Sequence, residues 1–179
     1  MNSAPKFLEP VKIFTGLILS AEVELAPVRS VLEAVYGPAD YTSPEMDFSK
    51  YTPYYHDEMG TGLRRVFLSF ERLEDRTLLP DIKHRTRALE ADFAANGKRR
   101  VNLDPGYMTL GQLFLASTKN NFFRIYIRDG IFEEVTLYFK QGDFRPFPWT
   151  YPDYDSGEYK RVFVEIREIY ERQLRFLSR

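Results

Sequence analysis

The sequence lacks cysteine altogether and has little histidine or tryptophan. Its 179 residues include no Cys, two His and one Trp. Without thiols the chain forms no disulfide, no Cys-ligated zinc site, no iron–sulfur cluster and no thiol nucleophile. Two histidines are too few for a His-rich metal site within one chain. The absence of cysteine fits a reducing compartment, so we expect a cytoplasmic protein.

Long apolar runs and an excess of charge of one sign are missing as well. No apolar run approaches the roughly 20 residues that a membrane span needs, and the first ten residues, expected to form a loose arm, have no signal-peptide core. The chain has 25 Lys and Arg against 26 Asp and Glu, a formal net charge of -1. We therefore expect no membrane partner, and nucleic acid is the less favoured partner because it would need a local basic patch.

The familiar nucleotide-binding and hydrolase motifs are absent too. The sequence has no G-x-x-x-x-G-K-[ST] loop, no serine nucleophile elbow and no H-E-x-x-H. Gly60-Thr61-Gly62 leads to Arg65 where the third glycine of a dinucleotide-binding loop would stand. The sequence therefore identifies no cofactor and no metal.

The residues that are present describe a globular chain. Apolar residues make up 44% and charged residues 28%, a balance typical of a folded domain, and the length suits one domain over residues 1–179. Apolar periodicity predicts helices over 25–36, 78–95 and 157–177, and strands over 11–19, 63–73, 99–103, 112–118, 122–127 and 131–139. We expect an α+β single domain with a mixed or largely antiparallel sheet, three main helices and a C-terminal docking helix.

Three segments carry further predictions. Residues 41–62 lose all periodicity and predict a long loop, either a functional loop or a covered connection. Asp104-Pro105-Gly106 has the chemistry of a turn. The polar face of the second helix carries Lys83, Arg87 and Glu90, which we interpret as a solvated, salt-bridging face.

The hairpin around Asp129-Gly130 should bring polar groups together on one face of the sheet. Alternation places Arg124 and Tyr126 with Glu134 and Thr136 on that face. Glu134 lies in a strand of Val, Leu and Phe, so it needs a partner if it is buried. Arg124 and Lys119 are the candidates.

Carboxylates near the predicted strand ends are the remaining chemical candidates. Paired carboxylates bind Mg²⁺ or Mn²⁺ or divide acid and base roles, although Asp104 and Asp153 also suit turn capping. His56 is a candidate base because of its near-neutral pKa, with an ordinary loop histidine as the alternative. The candidate catalytic residues are Asp104, Glu134, Asp153 and His56. The candidate ligand-binding residues are Asn102, Tyr107, Lys119, Arg124, Tyr126, Trp149 and Tyr151.

Several motifs together resemble an uncharacterised prokaryotic family, domain of unknown function 4416. They are PVKIFTGLI (10–18), YYHDEMG (54–60), NLDPGY (102–107), LASTK (115–119), RIYI with GIFEEVTL (124–137) and WTYPDY (149–154). The resemblance spans nearly the whole chain, and it implies no activity.

Three classes of function remain open. The first is a pocket for a small polar or anionic ligand, acting as a binding site or a metal-assisted enzyme, because polar groups converging on an apolar scaffold are typical of such sites. The second is a protein interaction module that docks a partner on its aromatic surface. The third is an RNA-binding module with an aromatic sheet platform and basic segments at 64–65, 83–87 and 98–100. The sequence favours the pocket and does not indicate an oligomeric state.

Overall fold

A computed structural model describes residues 9–177 of the chain. Its strands are β1 (Val11–Leu19), β2 (Ala39–Thr42), β3 (Met46–Asp47), β4 (Arg64–Glu74), β5 (Val101–Met108), β6 (Gln112–Ser117), β7 (Ile125–Arg128), β8 (Ile131–Lys140) and β9 (Asp143–Pro146). Its helices are α1 (Leu25–Tyr36), the single turn α2 (His56–Met59), α3 (Leu79–Asp92) and α4 (Gly157–Leu177), and a 3₁₀ turn (Arg76–Leu78) leads into α3. The predicted arm falls largely on residues 1–8, outside the described range.

The strands form one sheet in the order β2-β4-β1-β5-β6-β8-β7, with β3 added to β4 and β9 added to β8. Every pairing between these strands is antiparallel. The α+β prediction is confirmed, together with three main helices and a C-terminal helix. The sequence left open a mixed or a largely antiparallel sheet, and the sheet is antiparallel throughout the described residues.

Helices cover both faces of the centre of the sheet. On one face α1 and α3 bury a core that includes Leu32, Ile82 and Leu103. On the other face α4 packs Phe163 and Ile166 against the sheet. Because both faces are covered, all nine residues of β1 are buried, as expected from its almost continuous apolarity.

The sheet splits between β5 and β6. β5 pairs with β1 along its whole length, from Val101 to Met108. It pairs with β6 only at its C-terminal end, at residues 106–108. At the end of this pairing a Cβ on Gly106 would lie 2.0 Å from the carbonyl oxygen of Phe114, so no larger residue fits there. Before Gly106 the two strands diverge, and the N-terminal half of β5 has no strand on that side.

Two predictions about local structure are wrong. The turn expected at residues 104–106 is the middle of β5, where pairing with β1 overrides the turn chemistry. Pro105 is tolerated because its nitrogen faces the split, where no ladder hydrogen bond is lost. The loop expected over residues 41–62 contains the end of β2, β3 and α2, elements too short for periodicity to reveal.

Candidate functional site

A cavity of about 660 Å³ opens where the sheet splits. That volume lies within the range of about 300–1,000 Å³ typical of small-molecule sites. Its lining comes from β4, β5, β6 and β8, from α3, and from the segments before α2, β5, β7 and α4. The cations that line it are Arg65, Lys83, Arg87, Arg99, Lys119 and Arg124, and the carboxylates are Glu90, Asp104, Glu134 and Asp153.

Side chains of α3 replace the strand that β5 lacks at the split. The Leu103 N–H donates to Glu90 Oε1 at 2.6 Å, and Lys83 Nζ donates to the Leu103 carbonyl oxygen at 3.1 Å. Both backbone groups of Leu103 are thereby satisfied, as buried backbone groups must be. Burial raises the pKa of Glu90, against the lowering effects of the Leu103 N–H and the nearby Lys83 and Arg99.

Arg65 forms the floor of the cavity. Its guanidinium nitrogens lie 3.3 Å from Asp104 Oδ2 and 3.3 Å from Asp153 Oδ2, so two carboxylates share one buried cation. Its Nε donates to the Tyr159 hydroxyl at 3.3 Å. Gly16 makes room for this group, because a Cβ at that position would lie 2.8 Å from Arg65 Nη1.

The floor perturbs the ionisation of its members. Burial raises the pKa of the Asp153 carboxyl, with Arg65 opposing that shift and Asp104 adding to it. Burial lowers the pKa of Arg65, but the surrounding tyrosines and the two aspartates outweigh burial, and the net pKa is raised. Asp153 therefore keeps its proton to a higher pH than an exposed carboxyl group does.

A buried ion pair forms one wall. Arg124 Nε donates to Glu134 Oε2 at 2.7 Å, and the side chains of Arg124 and Glu134 are 6% and 1% exposed. Thr136 donates to the other Glu134 oxygen at 3.1 Å. The partner predicted for Glu134 across the hairpin is therefore Arg124, not Lys119.

A hydrogen-bonded network of polar groups runs from the solvent to the floor on the side of β5. Arg99 donates to Glu58 Oε2 at 2.7 Å and to Asn102 Oδ1 at 2.7 Å. Asn102 Nδ2 in turn donates to Asp104 Oδ2 at 2.9 Å. Because Asn102 and Arg65 both donate to Asp104 Oδ2, the orientation of the Asp104 carboxylate in the cavity is fixed.

Two exposed tyrosines stand at the mouth of the cavity. Tyr54 is 68% exposed and Tyr151 is 50% exposed. Lys119 Nζ donates to the Tyr54 hydroxyl at 3.2 Å, and Arg124 Nη2 donates to the Tyr151 hydroxyl at 3.4 Å. Arg124 Nη1 also donates to the Lys119 carbonyl oxygen at 3.0 Å, so the two cations link the two tyrosines.

The lining carries more positive than negative charge, with six cations and four carboxylates. Within residues 9–177, Arg87 makes no hydrogen bond or ion pair. Lys119 makes no ion pair either: its ammonium donates to Tyr54 and lies 5.2 Å from the centre of the Tyr54 ring. Two cations at this cavity therefore have no carboxylate partner.

Seven of the predicted site residues line this cavity, and they come from β5, β8 and the connecting segments. They are Asn102, Asp104, Lys119, Arg124, Glu134, Tyr151 and Asp153. Asp104 lies within a strand, so the alternative that it caps a turn is wrong.

The other four predicted residues lie outside the lining. Tyr107 is on the opposite face of β5, where its ring stacks on Phe114 at 4.5 Å. Tyr126, on the edge strand, pairs with Phe132 and so shares a sheet face with Glu134 as expected, but its ring packs against Phe132 and it does not line the cavity. Trp149 donates to the Val135 carbonyl oxygen at 2.9 Å. His56 lies in α2, and its buried Nε2 has no hydrogen-bond partner in the described structure.

Five charged residues of the lining were not among the predicted site residues: Arg65, Lys83, Arg87, Glu90 and Arg99. The interpretation of the α3 polar face as solvated is wrong. Lys83 is only 8% exposed, and it lines the cavity together with Arg87 and Glu90. Spacing along a helix cannot tell a solvated polar face from one that faces a cavity. Arg65 had a usable signal, since it shares one face of a strand with Phe67, where an unpaired charge would be costly.

The described residues hold no group of three or more His, Asp and Glu side chains able to bind a metal ion. Asp104 and Asp153 are bound by Arg65, and Glu134 by Arg124. These carboxylates converge on one cavity, yet each already has a cationic partner. Across residues 9–177, no helix is long and apolar enough to cross a membrane.

Comparison with known proteins gives one match. The model of the family described as Domain of unknown function (DUF4416) matches residues 9–170, which confirms the resemblance found in the sequence. The match includes every residue that lines the cavity. No curated protein and no solved structure matches the chain.

Proposed function

The chain belongs to this family of unknown function, and because the family offers no activity to transfer, we propose from the cavity itself that the protein binds a small anionic ligand. The observation that carries the proposal is the excess of cations around a cavity of suitable size, with Arg87 and Lys119 lacking carboxylate partners. Charge-assisted hydrogen bonds to an anion are the strongest use of such groups.

The interior of the cavity supports the same proposal. Arg65 and Arg124 are held in place by buried carboxylates, so the floor and wall need little reorganisation when a ligand enters. Preorganised groups strengthen binding because less order must be gained on association. The hydroxyl groups of the lining add donors and acceptors that suit a polar ligand.

The other two classes of function have less support. Cations of all three basic segments of the RNA hypothesis are engaged within the protein: Arg64 with Glu45, Lys83 with Leu103, and Arg99 with Glu58. Phe122, the most exposed large apolar side chain at 91%, precedes the exposed Ile125 and Tyr126 of the edge strand β7, but this surface lies outside the cavity and does not account for the polar groups that converge there. A cytoplasmic location remains part of the proposal, since a chain without cysteine fits a reducing compartment.

Isothermal titration calorimetry with inorganic phosphate, pyrophosphate and citrate tests the proposal. We expect saturable binding of at least one of these anions, and Arg87→Ala should weaken it about ten-fold, as the loss of one charge-assisted contact predicts. Arg85→Ala is the matched control, because Arg85 lies on the same helix, is also exposed and does not line the cavity. Absence of saturable binding up to millimolar concentrations, or equal losses in the two variants, would refute the proposal.

A further inference from the structure

The two tyrosines at the mouth of the cavity are exposed in a way that packing does not explain. A buried tyrosine ring contributes a large apolar area to stability, yet Tyr54 is 68% and Tyr151 is 50% exposed. One edge of the Tyr54 ring packs against Tyr55, with the ring centres 4.9 Å apart. Lys119 Nζ lies 5.2 Å from the centre of the Tyr54 ring, and the rest of the ring surface is exposed at the entrance to the cavity.

Both tyrosines are nevertheless fixed in position. Their hydroxyls accept hydrogen bonds from Lys119 and Arg124, at 3.2 Å and 3.4 Å. Arg124 is itself held by Glu134 and by the Lys119 carbonyl oxygen. Two aromatic rings are thus presented at the mouth by the cations that would attract an anion.

Flat rings at the mouth of a cavity with an excess of cations match a ligand with two chemical parts. A planar heterocyclic base stacks favourably on an aromatic side chain, and the stacking depends little on which base it is. An anionic group bound to the same molecule would reach the cations of the lining, of which Arg87 and Lys119 lack carboxylate partners. Polar groups between these parts would meet Asn102 and Asp104, which belong to the hydrogen-bonded network of the cavity.

We propose that the ligand is a nucleoside monophosphate, whose base stacks on Tyr54 or Tyr151 while its phosphate binds the cations of the cavity. This inference rests on the proposed anion-binding function and adds the class of ligand. The volume of about 660 Å³ accommodates one mononucleotide rather than a strand.

Calorimetric titration with the four common ribonucleoside monophosphates, and with ribose 5-phosphate as the probe that lacks a base, tests the inference. Stacking on one ring strengthens binding by about five-fold or more. We therefore expect at least one nucleotide to bind about ten-fold tighter than ribose 5-phosphate. That preference should fall in Tyr54→Leu or Tyr151→Leu and survive in Tyr54→Phe and Tyr151→Phe, which retain the ring.

Tyr126→Leu is the matched control, because Tyr126 is 59% exposed and does not line the cavity. All of these side chains are largely exposed, so the variants should fold. Equal binding of nucleotides and ribose 5-phosphate would overturn the inference and leave the proposed function standing. Loss of the preference for nucleotides in the Phe variants or in Tyr126→Leu would also overturn the inference. If no nucleotide and no ribose 5-phosphate binds at millimolar concentration while inorganic phosphate, pyrophosphate or citrate binds, the inference alone fails. If no anion binds, the proposed function fails as well.

Discussion

Removing one partner of the buried ion pair in the cavity wall should be far more harmful than removing both. Glu134→Leu would leave the Arg124 guanidinium in a wall where its side chain is only 6% exposed. Breaking a buried pair in this way costs about 3–5 kcal/mol. Arg124 keeps its hydrogen bonds to Lys119 and Tyr151, so we expect the lower end, about 3 kcal/mol. For a chain of this length that corresponds to a fall in Tm of about 6–12 °C.

The double variant Arg124→Met with Glu134→Leu removes both charges and keeps similar volume. Replacing a buried pair by apolar residues is often close to neutral, so we expect the double variant to recover most of the lost stability. Urea unfolding followed by circular dichroism of Glu134→Leu, Arg124→Met and the double variant gives the coupling between the two sites. Additive losses, with the double variant as unstable as the sum of the two single variants, would refute the claim that the pair is buried and mutually dependent.

Two further predictions concern the packing of α4 and the ionisation of the floor. Ile166 is fully buried, so Ile166→Asp should lower the free energy of unfolding by about 4 kcal/mol or more. Glu168 is exposed, so the control Glu168→Asp should change it by less than about 0.5 kcal/mol. Equal urea midpoints for the two variants would contradict the packing of α4. Burial raises the pKa of Asp153 above its ordinary value of 3.8, so the native state binds this proton more tightly than the unfolded state, and its contribution to stability is greatest below pH 3.8 and declines as pH rises through the raised pKa. Asp153→Asn should flatten that part of the curve of unfolding free energy against pH, and an unchanged slope in this variant would contradict the assigned direction.

The sequence predicted best those elements whose signal is local. The stripe of Tyr159, Phe163 and Ile166 on α4 repeats at helical spacing, and all three residues are buried. The hairpin between β7 and β8 follows from Asp129-Gly130, which takes the left-handed backbone conformation that such a turn requires. In both cases the residues that decide the structure are neighbours along the chain.

The parts that were missed depend on pairing between distant segments. Asp104, Pro105 and Gly106 have turn chemistry, but β1 pairs with all three and keeps them extended. Neither the split between β5 and β6 nor the approach of α3 leaves a periodic trace in the sequence. The candidate carboxylates were therefore identified, while the buried cation that joins two of them, Arg65, was not.

The split also determines which cavity residues have structural roles and which are free for a ligand. Divergence of β6 leaves the backbone of Leu103 without a strand partner, and Glu90 and Lys83 supply the missing hydrogen bonds. Changes at these two residues would disturb the sheet as well as the cavity, because unsatisfied buried backbone groups are costly. Arg87, one helical turn from Lys83, bonds to none of the described residues. It is therefore the cation at which the proposed ligand binding can be tested while the split itself stays intact.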